Sequence, residues 1–221
     1  MWKIPGVLLL AVSASAVADE GLWTFDQFPA ESVRQTYGVA ITPAWLDHVR
    51  LATVRLSNCT ASFASPWGLL LTNHHCIESC LEELSSKQHR YDQTGFQAAG
   101  PRREQRCATQ VADVLLGTED VTAAATAAEA AADEGDAAAN AARKRTLTLL
   151  EENCERDARR FKVDKIKCQA VRLYDGARWF LYKYKRYDDL RLVFAPEADI
   201  AGFGGDPDNY QFPRWLSLIH I

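Results

Sequence analysis

Two blocks of the chain carry the short apolar runs and two-residue alternation of strands. From His48 to Thr72 the order is HVRLATVRL, CTASFAS, a Pro-Trp-Gly turn and LLLT, which predicts adjacent antiparallel strands joined by tight turns. The second block, CQAVRLYD, Gly176, RWFLYKYKRY and LRLVFAP, predicts more strands of the same kind. In RWFLYKYKRY a period of two puts Trp179 and Leu181 opposite Phe180, Tyr182 and Tyr184, and the interleaved Lys and Arg suit an exposed or interfacial sheet face.

Between these blocks, from about 121 to 161, the pattern changes. Residues 121 to 142 include thirteen alanines, which favours helix over strand because Ala has the best helix propensity and little surface to bury. Gly135-Asp136 divides the segment, and Leu147, Leu150 and Cys154 give the second helix, Ala137 to Arg160, an apolar stripe. The reading is a surface helical excursion within a mainly β domain, with a low-complexity linker as the alternative. No repeat of solenoid length occurs, and GFGG at 202 to 205 lacks the lysine and setting of a phosphate loop.

The first eighteen residues put Lys3 ahead of an apolar run from Ile4 to Val12, then Ala16 and Ala18 at cleavage-site spacing. This predicts a signal peptide over 1–18, a mature start at Asp19 and a periplasmic or secreted protein, the run being too short for a membrane anchor. Without it the chain has 24 basic and 29 acidic residues, a formal charge of 24 − 29 = −5, and its basic clusters at Arg102 to Arg106 and Arg143 to Arg145 are short and flanked by acids. Nucleic acid is therefore not an expected partner, nor is a membrane once the signal is removed. The last six residues, LSLIHI, follow Trp215 with no turn, cap or polar tail, which predicts a truncated chain and leaves a foreign end as an alternative.

An oxidising compartment turns the six cysteines toward disulfides, for which fifteen connectivities exist. Cys59 and Cys76 flank a strand, a turn and a strand, so an antiparallel hairpin brings them together. Cys80 with Cys107 and Cys154 with Cys168 are the pairs suggested by proximity, each closing a moderate loop. The first bridge would pin the loop bearing His75, and a general base needs one tautomer and one direction to take a proton from a hydroxyl. A zinc site built from His74, His75, Cys76 and Cys80 is the alternative. A second signal, FGGDPDNYQFPRW at 203 to 215, is a constrained turn presenting Asp206, Asp208 and Asn209 before Tyr210; an amide there can accept a hydrogen bond from an ammonium group, or the segment is a solvated Asx-rich turn.

Thr72-Asn73-His74-His75-Cys76 is similar to the histidine motif of chymotrypsin-like peptidases. With EGLWTFDQFP, SFASPWGLLLTNHHC, YKYKRYDDLRLVFAPE and GFGGDPDNYQFPRW, the chain resembles the bacterial S46 peptidases, the dipeptidyl-peptidase 7 and 11 group, along its whole mature length. The resemblance implies the first part of a chymotrypsin-like double β-barrel. It also implies an exported, metal-free, dimeric exopeptidase that releases dipeptides from the free N-terminus of peptides with a His, Asp, Ser triad. It makes His75 the base, places Asn209 where the family's asparagine holds the substrate amine, and places Tyr210 where an aromatic lines that pocket.

Two departures stand against this. The family's triad aspartate falls near residue 218, where this chain has Leu218, and the serine of a Gly-Asn-Ser-Gly loop lies hundreds of residues further on in family members. Asp206 and Asp208 precede the aspartate position, and Ser57, Ser62, Ser65 and Ser79 lack the glycine-rich setting. The expectation is a chain inactive by itself, derived from an active longer product. A trypsin-type endopeptidase and a non-catalytic peptide-binding β-barrel are the competing functions.

Overall fold

The computed structural model describes residues 21–132, 135–197 and 216–221; Asn209, Tyr210, Asp206, Asp208 and the expected signal peptide lie outside the described residues. The chain divides into two compact units, residues 1–40 and 41–221. In the first, a 3-10 turn (Phe25–Gln27) precedes helix α1 (Ala30–Tyr37), which stops at Gly38 with φ of 69°. The left-handed geometry suits glycine, which has no Cβ to clash.

The second unit opens with helix α2 (Pro43–Ala52), strand β1 (Thr53–Leu56), β2 (Thr60–Phe63) and β3 (Leu69–Asn73). A 3-10 turn (His74–Ile77) leads into α3 (Glu78–Leu84), followed by α4 (Tyr91–Thr94), β4 (Phe96–Gln97), β5 (Gln105–Arg106) and β6 (Ala112–Asp120). Helices α5 (Thr122–Ala130) and α6 (Asp136–Arg160) occupy the alanine-rich segment, before β7 (Ile166–Leu173), β8 (Arg178–Tyr187), β9 (Arg191–Ala195) and β10 (Leu216–His220). The ten strands form one antiparallel sheet in the order β4-β9-β10-β3-β2-β1-β6-β8-β7, with β5 also on β9. It is an open sheet, the form an incomplete barrel takes.

Two sequence readings change here. Residues 48–52, read as strand, are helix, because the Thr42 hydroxyl accepts from Trp45 N at 3.1 Å and Pro43 takes the first helical position. The strand starts only at Thr53. The tail LSLIHI, in which no element was marked, supplies β10, with Ser217 and Ile219 buried between β3 and β9.

One apolar cluster joins Val54, Leu56, Ala61, Leu70, Ile77, Leu81 and Leu192 on one side of the β1–β3 and β9 strands. A second lies under the helices, where Val121, Ala125 and Leu147 meet Leu181 and Cys168. The alternation in β8 is therefore used on both faces. Leu181 and Trp179 pack toward the helices, while Tyr184, on the other face, is buried beneath Arg55, whose guanidinium lies 4.1 Å from the ring centre.

That second face carries one buried carboxylate. Asp113 on β6 is 3% exposed and accepts two hydrogen bonds from Arg186 on β8 and one from Arg55 on β1, each at 2.8 Å. Burial alone would raise its pKa, but the hydrogen bonds from Arg186 and then Arg55 outweigh it and hold the carboxyl below the usual aspartate range. Three neighbouring strands are thus tied through a single side chain. Asp113→Ala is expected to cost about 3 kcal/mol in urea unfolding, since two guanidinium groups lose their shared partner. As the folded pKa is depressed, this contribution is whole above about pH 4 and fades as pH falls through the folded value, so the wild-type and variant curves should converge in acid.

Candidate active site

The β2–β3 hairpin builds the site. At its tip Ser65 Oγ accepts from the backbone N–H of Trp67 and Leu69, both at 3.2 Å, which closes the Pro-Trp-Gly turn. At its open end Ala61 pairs with Thr72, and the Thr72 hydroxyl donates to the carbonyl of Thr60 at 2.9 Å. Cys59 lies just before β2 and Cys76 three residues past the end of β3, in the 3-10 turn, with Cα atoms 5.6 Å apart and their sulfurs bonded. The other bridges are Cys80–Cys107 and Cys154–Cys168.

The two adjacent histidines are sorted by this turn. His75 is exposed, whereas His74 is only 8% exposed and its Nδ1 lies 3.3 Å from the buried Ser217 hydroxyl. Burial lowers the His74 pKa below its ordinary 6.5; Glu78 works against the shift and His75 adds to it. The two neighbours therefore differ in access: His74 is buried with its pKa lowered, and His75 faces solvent. A ring nitrogen of His75 and the sulfurs of Cys59 and Cys76 lie within 4.8 Å of one another. With those sulfurs bonded to each other and Cys80 bridged to Cys107, none of the three cysteines offers the thiolate that zinc takes as a ligand.

A residue absent from the sequence reading completes the support. Gln110, 2% exposed, donates through Nε2 to the carbonyl of Cys76 and to Ser79 Oγ, each at 3.1 Å. No spacing or motif marks it, because the contact spans 34 residues of sequence. Leu218, at the position expected for the triad aspartate, pairs with Leu71 and Phe194 in β10. An open cavity of about 840 Å³ lies by the hairpin tip, lined by His48, Leu51, Phe63 and Trp67, and His75 is not part of it.

The family model for peptidase S46 matches residues 18–217. The chain belongs to the peptidase S46 family. It is 33% identical over 211 residues to the Asp/Glu-specific dipeptidyl-peptidase of Shewanella putrefaciens, covering 93% of this chain and 28% of that protein. To dipeptidyl-peptidase 7 of Porphyromonas gingivalis it is 27% identical, covering 94% of this chain and 29% of the other. The crystal structure of Porphyromonas endodontalis DPP11 in complex with the dipeptide Arg-Glu superposes with a TM-score of 0.73 at 27% identity, over 91% of this chain and 30% of that one. This S46 chain therefore spans somewhat under a third of the length of these relatives.

Two outcomes are expected of the S46 hairpin. Replacing Cys59 and Cys76 together by Ala should lower stability by about 3 kcal/mol for a loop of this size, read by urea unfolding. Because the folded His74 pKa is depressed, the chain should lose stability as pH falls from about 6.5 toward the folded value, and NMR titration should show the His74 midpoint below about 6.5.

Proposed function

We propose that this chain is the histidine-bearing part of an exported serine dipeptidyl-peptidase, with His75 as general base. The observation that carries the reading is the S46 match across 18–217 around a solvent-facing imidazole whose next residue is bridged to the facing strand. An imidazole held in this way can take the proton of a serine hydroxyl supplied by the longer product. The oxygen attacks the scissile carbonyl, the carbon–nitrogen bond breaks, and the proton passes to the leaving amine. Asn209 accepts a hydrogen bond from the substrate ammonium and Tyr210 lines that pocket, so the catalytic centre lies one dipeptide from the N-terminus. Peptides with a free N-terminus are the substrates, export places the enzyme in the periplasm or outside the cell, and the longer enzyme works as a metal-free homodimer. Relatives of the acidic-specific and the dipeptidyl-peptidase 7 kind both match, so the proposal stops at dipeptide release.

The 221 residues alone hold Leu218 in place of the aspartate and no glycine-flanked nucleophile, and they are proposed to be inactive. Full-length product should release dipeptides from chromogenic substrates, lose that turnover with His75→Ala and reject N-acetylated peptides. Asn209→Ala should raise KM by the equivalent of about 1.5 to 3 kcal/mol, the worth of one charge-assisted hydrogen bond. Turnover that survives His75→Ala would overturn the assignment.

A further inference from the structure

We propose that Gln110 is a positioning residue for His75, acting through the main chain of the histidine turn. The proposal rests on the reading of His75 as the base, but its first test does not. Among the described residues the His75 ring makes no hydrogen bond, and it lies within 4.8 Å of the bridged sulfurs of Cys59 and Cys76, so the turn that carries it bears directly on its direction. That backbone is held at the next residue from two sides: Cys76 is bridged through sulfur to Cys59, and its carbonyl accepts from Gln110 Nε2. The second amide proton reaches Ser79 Oγ in the first turn of α3, so one planar group fixes residues 76 and 79 together.

Gln110 is itself anchored on a rigid turn. Cys107 is bridged to Cys80 of α3, and its N–H donates to Leu190 O at 2.8 Å. The Glu83 carboxylate accepts from the N–H groups of Ala108 and Thr109, both at 3.2 Å, and Val111 N–H donates to Ser57 Oγ at 3.1 Å. The amide is thus delivered to the histidine turn from a base tied to α3, the residue before β9 and the β1–β2 turn.

The other half of the amide argues against a packing role. Gln110 Oε1 is buried and has no hydrogen-bond partner among the described residues. An unpaired buried acceptor costs stability, and a methionine of similar volume would fill the space without it. What the glutamine supplies over methionine is the pair of donors aimed at residues 76 and 79.

The test separates position from stability. In Gln110→Met, which removes the unpaired Oε1 together with the donors to Cys76 and Ser79, the melting temperature of the chain should change little, while the His75 ring, expected to give a single narrow NMR resonance in the wild type, should broaden or split. Gln110→Glu, which cannot donate to the carbonyl as a carboxylate, should do the same to the resonance. A lower melting temperature with an unaltered His75 resonance overturns the proposal in favour of plain packing. Should neither variant fold, the wild-type side-chain amide protons decide: they should exchange as slowly as the backbone amides of 76–79, and fast exchange overturns it. In full-length product Gln110→Met should lower kcat about ten- to a hundredfold with KM little changed. If that product keeps its activity with His75→Ala, the assignment of His75 as base fails while the NMR result on positioning stands.

Discussion

A covalent bond between the ends of one hairpin governs this structure. The β2–β3 pair brings residues 59 and 76 within reach, and the bridge makes the transition from strand to 3-10 turn a defined corner. Without it the hairpin would still form from its ladder and its Ser65-closed tip. The corner after Asn73, however, would be held only by hydrogen bonds and packing. A side chain at such a corner can face solvent with a set direction, which an exposed residue on a free loop lacks.

The remaining bridges extend the same device. Cys80–Cys107 ties α3 to the turn before β6, and Cys154–Cys168 ties α6 to β7. Each closes a loop of moderate length, the range in which a crosslink removes useful entropy from the unfolded chain. Between them the sheet is joined by polar contacts of a different kind. Asp113 gathers arginines from the strands on either side of β6, and the helices cover the opposite face near β7 and β8. The unit is thus an open antiparallel sheet stapled at its corners and pinned at its centre.

The likeness to DPP11 places this arrangement within a known architecture, and the length comparison shows how much of that architecture the chain contains. Its histidine turn is supported by groups within the described residues, namely the bridge, Gln110 and the buried His74.

Much of this was legible in the residues. The alternation marked β7, β8 and β9; the alanines marked α5 and α6; and seventeen positions separating two cysteines across a turn marked the bridge. These are local signals, in which the period or spacing is itself the structural parameter. Residues 48–52 misled because a strand-like composition sat downstream of a helix cap, and the cap decides where the backbone hydrogen bonds begin.

The sequence by itself determined the mainly β character, the helical excursion and the histidine motif with its cysteine. Only the tertiary structure decided which of two adjacent histidines is buried, which carboxylate ties three strands, and that Gln110 reaches Cys76 from 34 residues away. The reason is physical: burial and long-range hydrogen bonds depend on where distant strands place their faces, and no short window of residues contains that information.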